Sequence, residues 1–184
     1  MDTMLQEIEK LRVPDAFAPV VGYRRFGIPW PPREDSGYLL VQKGHRWESN
    51  APTVAECRRP DATACVNNTV TPAQSCGCGL YGWLEVEEAL RYYELTTMRG
   101  WVLASVIGWG RVLFDEEFWR AEKALVLAFG DPRDTHSDKP QIVQKRTRRW
   151  LERVADNYRV PILPLEELRG HALIYGEEYV EEHG

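Results

Sequence analysis

With 184 residues, 43% of them apolar, and seven Trp, eight Tyr and five Phe, the chain carries enough large apolar surface to offset the entropy of ordering one domain, which excludes disorder along its whole length. A formal net charge of −5 argues against a general coat for phosphate backbones, because non-specific nucleic-acid affinity comes from a cationic surface releasing counterions. No stretch has the apolar length of a bilayer span, and residues 1–10 lack the apolar run of a secretory leader, so a cytoplasmic location is expected.

Thr3 and Gln6 have capping-box spacing and Leu5, Ile8 and Leu11 share one face, which predicts a short helix before Pro14. From Val20 to Ile28 the residues alternate and are rich in β-formers, then Pro29, Pro31 and Pro32 stop regular pairing. Residues 37–42 read as the return strand. Residues 44–79 show little periodicity and hold all four cysteines, making a long loop of a kind that is uncommon in a compact domain unless something holds it.

Val86, Ala89, Leu90 and Tyr93 recur at helical spacing, predicting a helix over 85–95. Residues 101–107 and 109–114 read as β segments broken at Gly108, where a bulge or bend lets the strand curve. Residues 119–129 fit strand or helix; the β-formers favour strand for the first half. After a turn at Gly130-Asp131-Pro132, the positions Val143, Thr147, Trp150, Leu151, Val154 and Tyr158 mark an amphipathic helix within 138–160. Between Asp138 and Arg159 seven basic residues, Lys139, Lys145, Arg146, Arg148, Arg149, Arg153 and Arg159, stand against three acidic ones, Asp138, Glu152 and Asp156, and the arginines of the helix lie mostly on the other face. Residues 164–168 suit a further helical turn or two, and 177–184 form an acidic tail. The expected architecture is a single α+β domain over 1–184. Its β-rich core, 15–130, is a curved antiparallel sheet or small, partly open barrel with flanking helices.

In a reducing compartment cysteines serve as thiols or metal ligands before disulfides. Cys57, Cys65, Cys76 and Cys78 follow the spacing C-x7-C-x10-C-x-C. Thiolates at short separations gather round a tetrahedral zinc ion without a large core beneath them. Gly77 and Gly79 let the backbone of the last pair turn tightly toward a metal. A zinc-stapled loop is therefore expected, structural because four protein ligands leave no position for water. His45 is the alternative to Cys65 as fourth ligand.

No Gly-x-Ser-x-Gly elbow, HExxH helix, P-loop or kinase set occurs. The balance leans away from an enzyme, and an enzyme with an aromatic-lined cleft is the third reading. Arg120 and Glu122 share a strand face and either recognise a polar ligand or pair with each other, the pairing being favoured. Arg24, Trp47, Tyr81 and Trp109 are candidates for a recognition surface, and Arg148 and Arg149 for contact with a partner.

Gly22-Tyr23-Arg24, Trp47, Ala55-x-Cys57, Cys76-x-Cys78-Gly79-Leu80-Tyr81, Val106-x-Gly108-Trp109-Gly110-Arg111-Val112 and Arg120-Ala121-Glu122 form a pattern that resembles a set of small proteins of actinobacteria and their phages, over roughly the middle two-thirds of the chain. The resemblance implies a phage or host-interaction setting and no mechanism. In that set a histidine often precedes the C-x-C pair, where this chain has Asn67 and Asn68, so the fourth metal ligand stays open. A non-enzymatic module binding a protein partner or small ligand is the first functional expectation; a base-reading nucleic-acid binder is the second.

Overall fold

The computed structural model describes residues 19–27, 39–40, 46–49, 51–57, 71–74, 76–91, 101–136, 139–172 and 174. The helix expected before Pro14, the acidic tail, His45 and Cys65 lie outside them.

Among the described residues eight strands make one sheet: β1 (Val20–Gly27), β2 (Leu39–Leu40), β3 (Arg46–Trp47), β4 (Thr53–Val54), β5 (Leu80–Trp83), β6 (Trp101–Phe114), β7 (Phe118–Gly130) and β8 (Ile162–Leu163). Three helices flank it, α1 (Val86–Arg91), α2 (Pro132–Thr135) and α3 (Gln141–Tyr158), with a fourth, α4, over residues 165–172. The chain is thus α+β, as its patterning predicts. All pairings are antiparallel except that of β8 with the end of β7. β1 pairs with both β5 and β6, and β7 pairs with the same two strands, so these four strands close a circuit of pairings.

Burial is almost continuous along β6 and along the second half of β7, because both faces are covered. Ala104, Val106 and Phe129 face α3, where they meet Trp150, Leu151, Val154 and Tyr158. Leu103 and Ala128, on the alternate positions, meet Val86 and Ala89 of α1 and Leu168 and Ala172 of α4. A strand buried on both faces loses its period-2 signature. This is why 119–129 reads ambiguously in sequence and is strand to its end here.

Gly108 does not break β6. The strand runs through it, and the register shifts fall at Ser105/Val106 and Trp109/Val112, the second beside Gly110 at φ 79°. Gly108 serves Trp119 instead. The Trp119 side chain is fully buried and lies against Gly22 of β1, Gly82 of β5 and Gly108 of β6, and a β-carbon on any of these would come within 3.0 Å of the indole. Its Nε1 donates to Val21 O at 3.2 Å. Three strands without side chains at one level make room for one flat ring that spans the circuit.

The Gly130-Asp131-Pro132 turn opens α2, a single helical turn with Asp131 as N-cap and Pro132 at its start, where a missing N–H costs nothing. Asp131 accepts from Arg133 of α2 and Arg148 of α3, and its side chain is 3% exposed. Burial pushes its carboxyl pKa up. The side-chain and backbone hydrogen bonds from Arg133, with the charges of Arg148 and Arg133, outweigh burial and hold it below the usual carboxylate value. At its other end α3 stops at Arg159 in the left-handed region, φ 56°, and Tyr158 Oη donates to Trp47 O at 2.5 Å, tying the helix to β3.

Candidate metal centre

β4 and β5 pair with the same edge of β7 in succession. Thr53 and Val54 lie opposite Ala124 and Lys123, Ala55 N donates to Glu122 O at 2.7 Å, and Leu80 resumes the ladder opposite Ala121. The two short strands act as one edge strand interrupted after Ala55 and resumed at Leu80. Cys57 stands where the chain leaves the edge and Cys76 and Cys78 where it returns.

The thiols of Cys57, Cys76 and Cys78 lie within 4.8 Å of one another. Cys76 and Cys78 are buried and Cys57 partly so. Cys57 Sγ and Cys76 Sγ are 3.7 Å apart, too far for a disulfide and close to the edge of a tetrahedron of sulfurs round zinc, which is about 3.8 Å for Zn–S bonds of about 2.3 Å. Ala73 N donates to Cys78 Sγ at 3.4 Å and Cys76 N to Ala73 O at 3.2 Å. Gly79, at φ 123°, makes the sharp entry into β5 in a conformation that a side chain would strain. These three cysteines could hold a metal ion, with the neck of the loop closed by their sulfurs. Cys65, expected as the fourth, falls in the undescribed part of the same loop.

The expected Arg120–Glu122 pair does not form. Arg120 Nη1 donates to Ala73 O at 3.3 Å, Cys78 O at 3.1 Å and Cys76 O. Glu122 accepts from Arg111 N at 3.3 Å across the β6 bulge and pairs with Lys123 at 3.9 Å. Residues two apart on a strand share a face, but each is claimed by what lies opposite it. Trp109 is half-buried at the same bulge, opposite Lys123.

Arg24, Trp47 and Tyr81 do come together. Arg24 Nη1 donates to Tyr81 O at 2.7 Å. Its guanidinium carbon is 5.4 Å from the Trp47 ring centre, 5.7 Å from that of Phe26 and 5.9 Å from that of Tyr81. Trp47 is 1% exposed and packs edge-on against Phe26, so its place is the core. Tyr81 Oη donates to Gly77 O at 2.6 Å. Burial pushes the Tyr81 hydroxyl pKa up, and the Arg120 and Arg24 charges only partly offset that.

Arg148 and Arg149 part company. Arg148 is bound to Asp131 and Glu152, whereas Arg149 is exposed on α3 with Lys145 and Arg146, and among the described residues no ion pair holds these three. Sequence reasoning passed over Ala73, whose backbone serves both Cys78 and Arg120; nothing in a sequence marks a backbone group for such a role. Among the described residues no helix is long and apolar enough to cross a membrane. No protein-family model, curated protein or solved structure matches the chain.

Proposed function

We propose that this chain is a non-enzymatic recognition module in which a structural zinc ion on Cys57, Cys65, Cys76 and Cys78 staples the cysteine loop, and the cationic face of α3 captures an acidic segment of a protein partner. The observation that carries the reading is the convergence of three thiols from the two ends of one loop, at sulfur spacings suited to tetrahedral coordination. Every protein ligand named comes from the loop itself, which favours a staple over a reaction centre. A cytoplasmic, bacterial or phage setting belongs to the same proposal.

The binding face follows from the cations that the fold leaves unused. At 100° per residue, Lys145, Arg146 and Arg149 fall within one side of α3, and Ile142, 59% exposed, lies in the middle of that side one turn earlier. An apolar residue among unpaired cations suits an acidic peptide carrying an apolar side chain better than a bare phosphate backbone, and the overall charge of −5 points the same way.

Capture of a partner by the immobilised chain is expected to fall about tenfold when Lys145→Glu and Arg149→Glu are combined, since reversing two rim charges costs about 1–2 kcal/mol. Unchanged capture rejects this surface. Salt-sensitive retention of DNA or RNA, lost in the same variant, moves the reading to a nucleic-acid ligand.

A further inference from the structure

One nitrogen of β7 gathers the returning end of the cysteine loop. Arg120 Nη1 lies inside hydrogen-bonding range of three backbone carbonyls, those of Ala73, Cys76 and Cys78. Two of these belong to the residues that carry the buried thiols. A guanidinium nitrogen has only two hydrogens, so three oxygens converging on it form a cage for a point charge, not the parallel fork by which arginine grips a carboxylate. The carbonyl between them, Gly77 O, accepts from Tyr81 Oη, and Tyr81 is the register partner of Arg120 across β5 and β7. The acceptors of 76–78 are therefore all turned toward two side chains of adjacent strands.

That arrangement has a directional consequence. Fixing the carbonyls of Cys76 and Cys78 fixes the peptide planes that follow them, and with the Cys76 N to Ala73 O bond it limits where each Cβ–Sγ bond points. Three or four thiolates round a divalent cation also leave one or two net negative charges, and a cation held by the same loop offsets them. Resting on the reading of the thiol trio as a metal site, we propose that Arg120 is the positioning residue of that centre. It presets the loop so that Cys76 and Cys78 already face the ion, and it supplies the balancing charge. Its partners are the loop's own carbonyls, so it acts through the ligands without being one.

The test uses the full chain, stripped of metal and titrated with Co(II) and then Zn(II) against a chromophoric chelator, as wild type, Arg120→Gln and Arg120→Lys. Glutamine is expected to weaken metal binding about 10–100-fold, the range typical of residues that orient ligands. Lysine is expected to recover most of that loss, because an ammonium meets three carbonyls as a point charge with three donors. The apo forms of all three are expected to melt together, which a purely structural residue would not allow.

A wild type that takes up no metal removes the site and this inference with it. A wild type that binds while Arg120→Gln binds equally well overturns the inference alone. So does a lysine variant as weak as glutamine, or an affinity loss matched by a falling apo melting point.

Discussion

Trp119→Ala is expected to cost about 3–5 kcal/mol, the range for removing a buried aromatic ring, out of a total stability of about 5–15 kcal/mol for a domain. The indole is fully buried and touches β1, β5 and β6 at Gly22, Gly82 and Gly108. Those glycines bring no side chains that could swing into the space, so the hole cannot collapse cheaply. The Nε1 bond to Val21 O goes as well, leaving a part-buried carbonyl without that donor. The complementary change is informative: Gly108→Ala drives a methyl group into the ring and is expected to cost about 1–3 kcal/mol. Urea denaturation followed by circular dichroism measures both. A Trp119→Ala chain within about 1 kcal/mol of wild type contradicts the account of the closed circuit.

Removing the metal is expected to lower the melting midpoint by about 5–10 °C. An ion present at a hundredfold excess over its dissociation constant contributes about 2.7 kcal/mol, and a domain of this length shifts by about 2–4 °C per kcal/mol. The effect stays well short of the full unfolding seen when small zinc domains lose their ion. The two hydrophobic clusters on the faces of β6 and β7 stand apart from the small one at Ala73, Cys76 and Cys78. Amide exchange should accordingly speed up at Ala73, Cys76 and Leu80 and stay slow along β6. Cys78→Ser is expected to reproduce the shift and to be insensitive to chelator. An unchanged midpoint on chelation of freshly purified protein contradicts the staple.

Much of this was legible in the sequence for identifiable reasons. α3 announced itself because its buried residues sit at helical spacing while its cations take the other side. β1 was legible from its β-forming residues and the prolines after it, although its burial runs in pairs and not in strict alternation. The cysteine loop stood out because nothing apolar repeats in it, and three of its thiols do meet. What could not be read was which residue lies opposite which. Gly108 looked like a break because a glycine in a strand has two uses, a bend or a close approach, and only the position of Trp119 decides between them. Residues 44–79 were read as continuous loop, yet they contain β3 and β4, each too short to show a period. Arg120 and Glu122 shared a face as expected, but the carbonyls of one loop and the bulge of one strand claimed them separately. Arg148 and Arg149 are adjacent in sequence and differ by 100° round the helix, which sends one to Asp131 and the other to solvent.

The four-thiolate zinc staple proposed for Cys57, Cys65, Cys76 and Cys78 is tested most directly by X-ray absorption at the zinc edge on protein purified without chelators. The expected spectrum corresponds to about one zinc per chain with a shell of four sulfurs at about 2.3 Å, reduced to three sulfurs and a lighter atom in Cys65→Ser. Metal-free protein, or a first shell dominated by oxygen and nitrogen, contradicts it.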